Sequence, residues 1–184
     1  MSSPQFSVQN QQHRSRASVF FRSIISIPHI FVGFLWSIGV SFFTFFQWWI
    51  ILFTGNRNEG IWNRQNKWLA YATRVKSFQY YLFDKFPAFG SKPNGEPVSY
   101  SFEYVKSASR LSNLFRGLLA IPAYFLLFFL SIGGSFVSMV AWIAIIFSGK
   151  HPQGMFNFVL KIRLLSCRLS AYTMYMTDDY PKSR

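Results

Sequence analysis

The chain has 184 residues, of which 51% are hydrophobic, 21% aromatic and only 14% charged, against roughly 25% charged in an ordinary soluble domain. Nineteen Lys and Arg face six Asp and Glu, for a formal net charge of +13. The aromatic content excludes a disordered chain, and a single cysteine, Cys167, excludes both a disulfide framework and a cysteine-based metal cluster.

In chain order, Phe6 and Val8 alternate with polar residues, which reads as a short strand. A basic lead-in follows at Arg14, Arg16 and Arg22. No charged residue then occurs until Arg57, a run of 34 residues, long enough for a membrane span of about 18 or more apolar residues. The run is also too long for the apolar region of a cleavable signal peptide. It closes on Phe53-Thr54-Gly55, with Gly60 five residues beyond. Glycine just past an apolar helix suits a left-handed C-cap, so Gly55 and Gly60 are read as structural turn residues. Trp68, Tyr71, Val75, Phe78 and Leu82 then fall at spacings of three and four, the apolar stripe of an amphipathic helix. Lys67 and Arg74 lie along one edge of that stripe. Asp84 and Pro87 mark its expected end.

The rest of the chain repeats this layout without a gap at an offset of 94 residues. The strand recurs at Val98, Tyr100, Phe102 and Tyr104, and the two strands are candidates to pair with each other. Lys106, Arg110 and Arg116 form the second lead-in, and 33 uncharged residues separate Arg116 from Lys150. Phe147-Ser148-Gly149 closes the run, and Gly149 and Gly154 take the same turn role. Ile162, Leu165, Leu169, Tyr172 and Met176 rebuild the stripe, edged by Lys161 and Arg168. Asp178 and Pro181 close it. Such an edge suits aliphatic stems on an apolar surface with charges in a headgroup layer.

The expected fold is therefore mainly α: an integral membrane helical protein of two tandem repeats, each a short strand, a membrane helical hairpin and a basic amphipathic helix. The first unit covers 1–92, with its hairpin at 23–53 and amphipathic helix at 60–83. The second covers 93–184, with its hairpin at 117–147 and amphipathic helix at 154–177. The hairpin follows from charge and symmetry. One crossing per run would leave ten Lys and Arg on one side and nine on the other, against the bias that places basic residues in the cytoplasm. Copies with basic residues at matching places should also share an orientation, which requires an even number of crossings each. The turns are expected near Ser37–Ser41 and Ser131–Ser135.

Catalytic material is scarce. All six acids lie outside the apolar runs, and His13, His29 and His151 have no repeat partners. His29 is the one histidine inside an apolar run and is read as a packing residue near the interface. Cys167, with Thr73 as its repeat mate, is read as a small buried filler. No acid–base pair, nucleophile arrangement, metal site or dinucleotide loop can be assembled, so neither catalytic residues nor cofactors are expected.

Arg110–Pro122 (Arg-Leu-x-x-Leu-Phe-Arg-x-Leu-Leu-Ala-Ile-Pro), Ala141–Phe158 and the closing Arg168–Pro181 together give a recognisable pattern. It resembles a bacterial membrane family, domain of unknown function 4389, over nearly the whole second copy and more faintly over the first. The first copy departs at Arg57-Asn58-Glu59, where the second has His151-Pro152-Gln153. The resemblance implies a bacterial integral membrane protein and lends no reaction or ligand. The functional expectation is a non-enzymatic, multi-pass protein of the inner (cytoplasmic) membrane, an accessory or scaffold subunit whose basic cytoplasmic face engages anionic lipid or a partner complex. Arg22, Arg116, Lys67, Lys161, Arg74 and Arg168 are the expected headgroup or partner contacts. Membrane lipid, a membrane-protein partner or a second copy are the candidate partners, and nucleic acid is not. The alternative is a small transporter or channel component, with Thr44, Gln47 and the serines lining a pathway between the two hairpins.

Overall fold

A computed structural model describes residues 3–11 and 13–182. Seven elements follow in order: β1 (Gln5–Val8), α1 (Arg16–Ile25), α2 (Ile27–Thr54), α3 (Glu59–Gln79), β2 (Val98–Ser101), α4 (Arg110–Ser148) and α5 (Gln153–Thr173). The outer ends of the two expected units, residues 1–2 and 183–184, lie outside the described residues.

Local chemistry sets the helix ends. The Ser15 and Ser109 hydroxyls accept from the backbone N–H of Ser18 and Ser112, capping α1 and α4. The chain breaks at Ser26, two residues before Pro28, which has no N–H to extend the ladder. Pro122, at the matching place, sits inside an unbroken α4. Gly55 and Gly149 close α2 and α4 with φ of 71° and 70°, donating to the carbonyls of Ile51 and Ile145. Gly60 and Gly154, expected in the same turns, instead lie in the first turns of α3 and α5.

The expected hairpins at 23–53 and 117–147 are corrected by the structure, because Ser37–Ser41 and Ser131–Ser135 are helical throughout. The serine hydroxyls bond back into their own helix, Ser37 to Phe34 O at 2.6 Å and Ser41 to Ser37 O at 2.9 Å. A glycine within a helix costs only about 1 kcal/mol, so neither Gly39 nor the Gly133-Gly134 pair breaks it. The return arm is the amphipathic helix itself. Asn58 caps α3, and its own N–H reaches Gln47 Oε1 of α2 at 3.3 Å. Further along, Gln65 Nε2 donates to Thr44 Oγ1 at 2.9 Å, and Tyr71 meets His29. Thus α3 runs antiparallel along α2. Likewise α5 runs back along α4, where Gly134 leaves room for Ile162: a Cβ there would lie 2.8 Å from Ile162 Cδ1.

The apolar stripes consequently face protein. Tyr71, Val75, Phe78 and Leu82, with Ile162, Leu165, Leu169, Tyr172 and Met176, are all buried. This overturns the expectation that these stripes lie on lipid. The helices also end earlier than expected. Tyr81 and Tyr175 take φ of 62° and 63° just past α3 and α5, turning the chain before Asp84 and Asp178 are reached.

The strands pair antiparallel, Gln5 with Ser101, Phe6 with Tyr100, Ser7 with Ser99 and Val8 with Val98. Shifting each residue by 94 maps this register onto itself, with Phe6 and Tyr100 at its centre. Two isolated bridges obey the same exchange: His13 with Lys150, and Asn56 with Ser107. The lead-in of each copy therefore docks on the turn of the other, and the two copies lie head to tail. The sheet packs on α3 and α5 through Phe6, Val8, Phe78, Leu82, Phe83, Phe156 and Val159. A second cluster joins Trp62, Leu69, Cys167, Ala171 and Met176 under Phe102 and Tyr104.

Candidate functional site

The two lead-in arginines are drawn inward. The Arg22 guanidinium, in a residue 1% exposed, donates to Asp84 Oδ1 at 2.7 Å, Phe78 O at 3.0 Å and Ser18 Oγ at 3.1 Å. Arg116, also 1% exposed, repeats the arrangement with Asp178 Oδ1, Tyr172 O at 3.2 Å, Thr177 O at 2.9 Å and Ser112 Oγ. Each cation also sits over two rings, Phe78 and Tyr81 in the first copy, Tyr172 and Tyr175 in the second. The logic is that of a helix C-terminus, whose last carbonyls and negative dipole end favour a cation. The far oxygen of each aspartate accepts the backbone N–H of the serine that caps the following helix segment, Ser15 at 2.7 Å and Ser109 at 3.0 Å. Each clasp thus ties the start of a copy's first helix, α1 or α4, to the end of its return helix, α3 or α5. Arg22 and Arg116 are structural here and do not reach a headgroup layer.

Arg57 was not legible as a partner. It crosses from the first copy to Asp178 of the second, Nη2 to Oδ1 at 2.7 Å, and donates to the carbonyls of Tyr175 and Val105 at 2.8 and 3.1 Å. Burial alone would raise the Asp178 carboxyl, but the Ser109 N–H and the Arg57 and Arg116 guanidiniums outweigh it and hold the group below its usual range. In the other copy His151 occupies the matching position, and Arg14 instead reaches Leu82 O at 2.8 Å.

Arg74 is also buried. It donates to Ala88 O at 2.9 Å and Ser91 O at 3.3 Å, with Glu96 3.7 Å away. Arg168 makes the corresponding bond to Lys182 O at 3.0 Å. Both therefore fasten the segment that leaves their helix, and the headgroup expectation is corrected for Arg74. Only Lys67 and Lys161 of the six expected contacts are exposed on the surface.

The largest surface feature is apolar. Exposed Phe31, Phe34, Phe42, Phe45 and Phe53 cover α2, and exposed Phe125, Phe128, Phe129, Phe136 and Phe147 cover α4. Both helices are long and apolar enough to cross a membrane, yet only 11% and 22% of their most apolar 18-residue windows are buried. A core helix would be mostly buried, and a soluble monomer rarely leaves apolar patches larger than about 300–600 Å².

Chemistry is sparse by comparison. His29 Nδ1 lies 2.7 Å from Tyr71 Oη, and its ring packs against Phe86 and Phe89. The Cys167 thiol is buried in the helix interface, which pushes it up to about 11. Among the described residues no three His, Cys, Asp or Glu gather as metal ligands. Thr44 and Gln47 are spent on the α2–α3 turn and packing.

No curated protein and no solved structure matches the chain. A family model described as Domain of unknown function (DUF4389) matches residues 16–91 and again 110–183. The chain belongs to that family and carries two copies of its domain in tandem.

Proposed function

We propose that the protein is a non-enzymatic membrane protein whose long helices lie along one leaflet of the bacterial inner membrane, and that it organises anionic lipid or braces a partner complex from the cytoplasmic face. The observation that carries this reading is the head-to-tail docking of the two copies. Each lead-in meets the other copy's turn, Arg14 N to Gly149 O and Ala108 N to Gly55 O, both at 2.9 Å. The exchange axis therefore runs across the long helices. Helices crossing the bilayer would place the two copies upside down relative to each other, and their matched basic residues would fall on both sides. Helices in the plane give both copies one orientation, as the bias of basic residues toward the cytoplasm requires.

Energetics favour the same placement. Because α3 lies along α2 and α5 along α4, a spanning α2 and α4 would carry exposed Lys67 and Lys161 to mid-membrane, since both lie near the middle of their helices. Each would then cost about 2.5–3.5 kcal/mol. In the plane, the aromatic faces of α2 and α4 enter the acyl region, and the lysines reach the headgroups, where each cation contributes about 1 kcal/mol on an anionic surface. A transporter would need Thr44, Gln47 and the α2 serines free to line a pathway, whereas the Ser37, Ser41 and Thr44 hydroxyls bond to carbonyls of their own helix, and Thr44 Oγ1 and Gln47 Oε1 also accept from Gln65 and the Asn58 N–H.

The test is lipid selectivity. Purified in mild detergent from mixed anionic and zwitterionic membranes, the wild type should retain anionic lipid in excess. Lys67→Gln with Lys161→Gln should lower that excess with unchanged thermal stability. An unchanged excess would make both lysines ordinary solvated side chains and remove the lipid reading of this face.

A further inference from the structure

A second basic feature lies on the seam between α3 and α5, where the exposed Lys76 stands with the buried Arg163. A groove of about 80 Å³ is lined there by Lys76, Thr73, Arg163, Ser166 and Ser170, among others. Arg163 is 7% exposed, and its Nε has no hydrogen-bond partner. Among the described residues its recorded contact is the Tyr80 ring, 4.5 Å from the guanidinium carbon, and no carboxylate lines the groove. This sets it apart from Arg22, Arg57, Arg74 and Arg116, each of which has an acidic neighbour.

A buried cation without a counter-charge is costly, and a second cation beside it costs more. Burial and Arg163 both hold the Lys76 ammonium below its ordinary value. The cations are also peculiar to one side of the repeat. Their partners at the 94-residue offset are Ser170 for Lys76 and Leu69 for Arg163, so a seam that is symmetric in backbone is asymmetric in charge. The groove offers two cations and the Ser166 and Ser170 hydroxyls, a donor set suited to an oxyanion. Its volume is far below the roughly 300–1,000 Å³ of a site for a drug-sized ligand, and admits one small group.

An adjoining cavity of about 240 Å³ shares Trp68, Ala72 and Lys76 with the groove and extends between α2 and α3 past Ile30, Phe34 and Val75. We infer that the α3–α5 groove binds a phosphate group through Lys76 and Arg163, with the apolar cavity beside it receiving the chain of a phospholipid. The inference does not rest on the in-plane placement, since the donor set would hold a free phosphate equally in a soluble protein.

The experiment uses the full chain in a zwitterionic detergent and measures binding and thermal shift with two probes, inorganic phosphate and a short-chain phosphatidylglycerol. Wild type should bind the lipid saturably and be stabilised by it. Lys76→Gln with Arg163→Gln should weaken binding by about tenfold or more, the loss of a charge-assisted bond or better. Lys92→Gln, which removes an exposed cation outside the groove, should leave this binding unchanged. Binding of both probes, each lost in the groove variant, assigns the phosphate site; much tighter binding of the lipid assigns the cavity to its chain, and equal binding refutes the chain's part. Without any ligand, Arg163→Met should unfold no earlier than wild type, because it removes an uncompensated buried charge. Lipid and phosphate binding that survive the groove variant, or an Arg163→Met protein that unfolds well before wild type, would overturn the proposal.

Discussion

Replacing Asp178 by Asn would remove the one carboxylate that serves Arg57 and Arg116 together, whose side chains are each 1% exposed. Removing one partner of a buried ion pair costs about 3–5 kcal/mol, and because the Asp178 side chain is 32% exposed the lower end applies, about 3 kcal/mol. For a chain of this length 1 kcal/mol corresponds to about 2–4 °C in Tm, so the expected fall is about 6–12 °C. The assay is thermal unfolding in detergent, read by tryptophan fluorescence. Adding Arg57→Gln should recover part of the loss by removing one stranded cation. The sign with pH is also fixed. The folded Asp178 lies below its ordinary value of 3.8, so its contribution is present above that value and fades as pH falls through the depressed folded value. The variant should lack that acid-dependent segment. A Tm within about 2 °C of wild type at neutral pH, below the shift of 1 kcal/mol, would refute the clasp as a source of stability.

Two further results are expected. Gly55→Ala should destabilise by about 1–2 kcal/mol, because φ is 71° and the new Cβ would meet Arg110 Nε at 3.2 Å, whereas Gly39→Ala, in open helix, should be neutral or stabilising by up to about 1 kcal/mol; chemical denaturation in mixed micelles checks both. Cys167, buried and with a thiol pushed up to about 11, should resist a water-soluble disulfide reagent at pH 8 in the folded protein and react fully on unfolding.

Periodicity carried much of this architecture. The two uncharged runs became the long helices, the stripes at spacings of three and four became α3 and α5, and Gly55 and Gly149 took the left-handed caps that their place after an apolar run demands. What misled was polarity taken as a turn signal. Ser37, Ser41, Ser131 and Ser135 look like hairpin breaks, but a serine in a helix can satisfy its hydroxyl on a carbonyl one turn back. Matched arginines were equally ambiguous. Their retention in both copies reads as a surface function, while in the fold Arg22 and Arg116 close helix ends that sequence spacing cannot bring together, with Asp84 and Asp178 each 62 residues away. Arg57 and Arg163 lack a repeat mate of the same charge, and that asymmetry was the one available sign that they serve something other than the shared scaffold.

The central claim is that the long helices lie along the membrane with both copies facing one side. Glu59 opens α3 and Lys85 follows its far end; both are exposed, and the 21-residue helix between them is about 31 Å long at about 1.5 Å per residue. In a Cys167→Ser background, Glu59→Cys and Lys85→Cys can each be tested with a membrane-impermeant maleimide on right-side-out and inverted vesicles. In-plane helices require both cysteines to react from the cytoplasmic face alone. Reaction of the two from opposite faces would show that the pair crosses the bilayer and would contradict the account.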